Sequence, residues 1–150
     1  MISTDTAIVQ VLNDLISVLN DRVEGYEQAA GETADADLKS LFTEMAARSH
    51  RFKRELASEV LHMDEEPTEI ATMSGRALRT RMDLKAALIE KNRRAILSSC
   101  ATGEFAALRT YREALESDAQ LPVREMIEKQ FIMLRHDHDR IRSLRDSATR

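Results

Sequence analysis

The stretch DEEPTEIATMSGRALRTRMDLKAALIEKN (64–92) decides how this chain folds. Pro67 and then Ser74-Gly75 punctuate its first half. A short helix over about 76–90 fits the spacing of Leu78, Met82, Leu84 and Leu88, and Lys91-Asn92 breaks the pattern again. The segment is too long and too interrupted for a hairpin loop. It reads as a crossover between two pairs of long helices.

Upstream, Ile8, Val11, Leu12, Leu15, Leu19, Val23 and Tyr26 recur at spacings of three and four, which marks a helix with one buried stripe. Ser3, Thr4, Asp5 and Thr6 are candidate caps and Gly31 a natural stop, so the first helix runs from about 6 to 30. Thr33 caps the second, whose stripe from Leu38 through Phe42, Ser49, Phe52 and Val60 ends near Met63. Downstream, Ile96, Leu97, Cys100, Glu104, Leu108, Tyr111 and Leu115 form a third long stripe, closed by Ser117-Asp118. Pro122 suits the first position of the last helix, whose stripe is Val123, Met126, Ile127, Leu134, Ile141 and Leu144.

Four helices of about 25 residues, each near 38 Å long, thus form two antiparallel hairpins joined by a crossover able to travel the length of the bundle. The spacing predicts an all-α, ferritin-like four-helix bundle, a single domain over residues 1–150. Composition agrees. Only 4 Gly and 2 Pro occur in 150 residues, well below the usual share of helix breakers. Two Tyr, four Phe and no Trp leave a core of Ala, Leu and Met.

The same numbers exclude several classes of function. A net charge of −4 has the wrong sign for a general nucleic-acid binder. Arg135, Arg140, Arg142 and Arg145 alternate with Asp137, Asp139 and Asp146 as a solvated helix face. No apolar run is long enough to span a membrane. The lone Cys100 forms no internal disulfide, and Met1–Asp5 lacks the basic start of a signal peptide, so a cytoplasmic location is expected.

Candidate function lies where polar groups enter the stripes. Glu104 falls at the centre of the third long helix's apolar face, and a carboxylate there must be paired, metal-bound or protonated. On the last helix Gln130 is central, with Asp137 and His138 on the two flanks; Ser49 points inward on the second helix and Arg22 on the first. Counting from the shared loop brings Glu104 and His138 within about a turn of one depth. Either they share a metal-free hydrogen-bonded centre, or they begin a site for Fe, Mn or Zn, with Glu27 or Glu44 as further ligands. Gly25 and Gly103 interrupt helices at roughly 1 kcal/mol each relative to Ala, which predicts either close helix packing or a local bulge. Cys100 reads as a core residue, with a redox-sensing thiol as the alternative. His50, His62 and His136 fall on outer faces.

Several segments resemble an uncharacterised bacterial four-helix-bundle family of the ferritin-like class. Leu12-Asn13-Asp14-Leu15-Ile16, Gly25-Tyr26, Leu38-Lys39-Ser40-Leu41-Phe42 and Arg51-Phe52 carry the likeness, as do Met82-Asp83-Leu84-Lys85-Ala86-Ala87-Leu88, Gly103-Glu104, Tyr111-Arg112-Glu113-Ala114-Leu115 and the run from His138 to Asp146. The resemblance implies the fold and a loose link to bacterial stress responses. Where that family has a Trp this chain has Arg81, and where it often has an acidic residue this chain has Ala101. Di-iron members of the wider class use two Glu and two Glu-x-x-His pairs. Here Arg135 stands three before His138 and Ala47 three before His50, so both pairs are missing. The expectation is a non-enzymatic bundle protein acting by binding or assembly, as a homodimer or with a protein partner. A metal-binding or redox protein centred on Glu104 and His138 is the alternative.

Overall fold

A computed structural model describes residues 4–72, 74–117 and 123–148. Five helices account for most of them: α1 (Thr4–Glu32), α2 (Ala36–His62), α3 (Gly75–Glu90), α4 (Arg93–Leu115) and α5 (Val123–Ser147). No strand occurs among the described residues. Among them, too, no helix is long and apolar enough to cross a membrane. Asp118 and Pro122, read above as a stop and a start, lie outside the described residues, as does Ser3.

The connections follow local chemistry, with two corrections. Gly31 does not stop α1, which continues through it to Glu32 with no positive φ at any glycine. Nor does Thr33 cap α2. Its amide closes a last bond to the Ala29 carbonyl (2.9 Å) while its Oγ1 accepts from the Asp35 amide (3.2 Å), so the hydroxyl is spent on the turn and Asp35 becomes the N-cap. Elsewhere caps carry their expected bonds: Ser74 Oγ accepts from Ala77 N and Asn92 Oδ1 from Ala95 N. Lys91 adopts the left-handed conformation (φ 56°) that turns α3 sharply into α4.

α1 packs chiefly on α2 and α4 on α5, while α1 also meets α4 and α3 lies against both α1 and α4. Two separate apolar clusters form the core. One joins the end of α1 (Tyr26, Ala29), the start of α2 (Leu38, Phe42), the start of α4 (Leu97) and the end of α5 (Ile141). The other joins the opposite ends, including Leu15, Leu56, Tyr111 and Ile127. α4 therefore runs parallel to α2 and antiparallel to α1 and α5, and the crossover travels between the two ends. Arg93 fixes one end by binding Asp35 (3.0 Å) and Asp37 (2.8 Å). The extended part of the crossover is strapped along α1. Asn13 Oδ1 accepts from Thr68 N (2.9 Å), Asn20 Nδ2 donates to the Ile70 carbonyl (3.0 Å) and Asp21 Oδ1 accepts from Thr72 N (3.0 Å). Polar side chains on one face of α1 thus satisfy backbone groups that no secondary structure serves.

Candidate functional site

Between the two apolar clusters lies a layer of buried charge. Glu104 on α4 is 1% exposed. Its Oε2 pairs with the Arg22 guanidinium and its Oε1 accepts from the Tyr26 hydroxyl, both from α1. Arg22, itself buried, also donates from Nε to Ser49 Oγ of α2 (3.0 Å) and from Nη2 to Asp137 Oδ2 of α5 (3.3 Å). Asp137 is equally buried and takes a second cation, Arg48 of α2, at 2.5 Å. The Ser49 hydroxyl in turn donates to the Met45 carbonyl (2.9 Å). One guanidinium on α1 thus binds side chains of the other three long helices. From Arg48 the alternation continues outward through Glu44 to Arg140.

Two carboxylates and two guanidiniums balance within this layer, so no net charge is buried. Desolvation works against the charge on Arg22, but Glu104, Tyr26 and Asp137 outweigh it and hold the group protonated above its ordinary range. Burial, reinforced by the Glu104 charge, raises the Tyr26 phenol, which keeps it a donor. Burial, with the same carboxylate, also raises the Cys100 thiol well above its usual value. Cys100 is therefore held as a neutral thiol, the opposite of the activation a redox-sensing cysteine needs.

Sequence reasoning picked out Glu104, Arg22 and Ser49, and the structure joins all three. Gln130 belongs to a second set. It accepts from the Tyr111 hydroxyl (2.6 Å) and donates to the Phe52 carbonyl (3.3 Å) and Glu55 (3.0 Å). His138 lies near Glu104 without bonding to it; its Nδ1 is buried and has no hydrogen-bond partner. Burial lowers the proton affinity of this ring, Glu104 opposes that shift, and Arg142 reinforces it. Glu27 and Glu44 are not brought to Glu104. Both are about half exposed or more, Glu27 beside His50 (3.4 Å) and Glu44 beside Arg48 and Arg140. Their positions on the outer flanks of α1 and α2 aim them at solvent. Among the described residues no three His, Cys, Asp or Glu side chains are grouped to hold a metal ion.

Three members of the layer escaped the sequence: Tyr26, counted as core; Asp137, placed on a flank; and Arg48. The available signal was arithmetic, because a buried Glu104 and Arg22 leave the second half of the guanidinium fork in need of an acceptor.

The two interior glycines correct a further expectation. Neither brings helices close: a Cβ added at Gly25 meets nothing within 4 Å, and one at Gly103 meets only Thr80 Cγ2 at 3.9 Å. α4 passes through Gly103 as regular α-helix, so no bulge aims Glu104. Both glycines instead line a partly open cavity of about 540 Å³ between α1, α3 and α4. Tyr26, Leu84, Cys100 and Glu104 border its inner part and Phe105 its rim. The volume falls in the range of small-molecule sites.

A family model described as a domain of unknown function, DUF2383, matches residues 7–117, and the chain belongs to that family. No curated protein matches the chain. The match spans α1 to α4, and with them the glycines, Arg22, Tyr26, Ser49 and Glu104; Asp137 lies beyond it.

Proposed function

We propose that this member of DUF2383 is a cytoplasmic, ferritin-like four-helix-bundle protein that works by binding or assembly rather than by catalysis, in bacterial stress physiology as its family resemblance implies. The observation that carries this reading is the Arg22 guanidinium, bound to Glu104 and Asp137 at the centre of the helices. In di-iron bundles the inward carboxylates of facing helices are neutralised by metal. Here an arginine supplies that positive charge, and a guanidinium cannot be deprotonated to vacate the position. Assembly as a homodimer is part of the proposal, supported by the exposed apolar stripe Leu78, Met82 and Ile89 along α3; sedimentation at several concentrations tests it, and a monomer throughout would remove that part.

One observation favours a second reading. His138 presents a buried, unbonded Nδ1 on a ring held neutral near Glu104, which is the state of a metal ligand. Elemental analysis of untagged protein separates the two. The favoured reading expects Fe, Mn and Zn well below one per chain. Stoichiometric metal that disappears in Glu104→Ala would overturn it in favour of a metal centre using Glu104 and His138.

A further inference from the structure

We infer that the cavity between α1, α3 and α4 is the binding site for a free amphipathic carboxylate, a molecule with a linear apolar body and one anionic end. The inference rests on the binding role proposed above and supplies its ligand class. Shape comes first. Gly25 and Gly103 each give up helix stability at positions where a side chain would meet almost nothing, so the space they leave is not required by packing. The α4 residues along the cavity run from Ser99 to Glu113, about 21 Å of helix at 1.5 Å per residue. That is an elongated groove, suited to a chain rather than to a compact ring.

Polarity comes second. α3 and α4 are consecutive and antiparallel, with Thr80 opposite Gly103. Moving one turn back along α3 reaches Arg76, and under two turns forward along α4 reaches Arg109, so both arginines border the same end of the groove. Moving the other way reaches Leu84 and Cys100, which close the opposite end with apolar surface beside Tyr26.

The charges decide which head group fits. Glu104 is neutralised by Arg22, and Arg81 is held by Asp21 (2.5 Å) and Glu24 (3.6 Å). Arg76 has no acidic partner among the described residues, and Arg109 has only Glu113 at 3.5 Å, both of that pair well exposed. Glu113 lines that end too and offsets Arg109 in part, so the uncommitted charge there is the Arg76 guanidinium, in a chain whose net charge is −4. An apolar tail along the groove, with its carboxylate at Arg76 and Arg109, satisfies both ends.

Titration calorimetry with decanoate, decanol and decyltrimethylammonium tests this on the full chain. Saturable one-to-one binding of decanoate is expected, tighter than either analogue. Gly25→Leu, whose Cβ would meet nothing within 4 Å, places a side chain in the groove and lowers decanoate affinity by about tenfold or more. Arg76→Glu/Arg109→Glu, at exposed positions that leave the core untouched, lowers decanoate affinity by about tenfold while changing decanol by less than about twofold. Absence of saturable decanoate binding, or binding unchanged by Gly25→Leu, overturns the inference. So does a decyltrimethylammonium affinity equal to that of decanoate, or a double charge reversal with no effect. None of these results bears on the ion-paired centre, whose own test is metal content.

Discussion

Removing Arg22 tests the charged layer most directly, because the structure fixes what each neighbour would lose. In Arg22→Met, Glu104 keeps only the Tyr26 hydroxyl, while Asp137 keeps Arg48. The layer changes from balanced to one net buried negative charge. Removing one partner of a buried ion pair costs about 3–5 kcal/mol, a large share of the roughly 5–15 kcal/mol that holds a domain folded. Glu104→Gln leaves one net positive charge, but that charge is not stranded, since Arg22 retains Asp137 and Ser49 and the amide oxygen still accepts from Tyr26. About 1–3 kcal/mol is expected there. Adding Glu104→Gln to Arg22→Met removes the stranded charge and should restore about 1–3 kcal/mol, so the double variant is more stable than Arg22→Met alone.

Urea unfolding reads all three. At a slope of about 2 kcal/mol/M, Arg22→Met lowers the midpoint by about 1.5–2.5 M and the second substitution returns part of it. Equal and additive losses for the two single variants would refute the reasoning, because they would mean that Glu104 and Arg22 are not coupled. A shared change in slope would point instead to an altered unfolded state.

Three further perturbations address other parts of the molecule. Tyr111→Phe leaves the buried Gln130 Oε1 without its donor and should cost about 1–3 kcal/mol by urea unfolding; a neutral result would show that water or a rotated amide replaces the bond. His138 binds its proton more weakly in the fold than its ordinary value of 6.5, mainly through burial. The fold thus favours the neutral ring, a contribution complete above pH 6.5 and lost as pH falls through 6.5 toward the lowered value. The imidazole NMR titration should therefore fall below 6.5, and His138→Gln should flatten the loss of Tm over that window; a midpoint above 6.5 reverses the sign. Gly25→Ala should stabilise the protein by about 0.5–1 kcal/mol and raise Tm by about 1–4 °C. A fall in Tm would mean that the space beside Gly25 is filled in solution.

Much of the fold was legible because helix periodicity is a local signal repeated over many residues. The stripes of α1, α2, α4 and α5 each carry several independent matches, and the breaks around Pro67, Ser74 and Asn92 separate them. The failures at Gly31 and Thr33 arose where one residue had two possible bonds and tertiary context chose between them. Glu104 was legible for a related reason, since a charge on an apolar stripe violates the pattern locally. Its partners were not, because pairing depends on depth and rotation across four helices. An error of one residue in register turns Asp137 from core to surface, and the extra buried carboxylate was hidden among the surface acids of an Arg- and Asp-rich helix.

The glycines show why scarcity in a composition is worth following to particular positions. A helix interior selects against Gly through backbone entropy alone, whatever surrounds it. When no neighbour would touch the missing Cβ, close packing cannot be the compensation. What both positions share is one cavity, entered from α1 on one wall and α4 on the other, with the neutralised Glu104 at its inner boundary. The charged layer also explains why that boundary tolerates an apolar guest. Arg22 and Tyr26 already occupy both carboxylate oxygens, so an apolar tail lying against Glu104 would strip no solvation from a bare charge. Loosening the layer should therefore weaken tail binding as well as stability. In Glu104→Gln, where the fold is only modestly destabilised, decanoate should bind nearly as it does to the parent, whereas Arg22→Met exposes the groove to an unpaired carboxylate and should lose most of its affinity. Equal affinities in the two variants would separate the cavity from the layer beneath it.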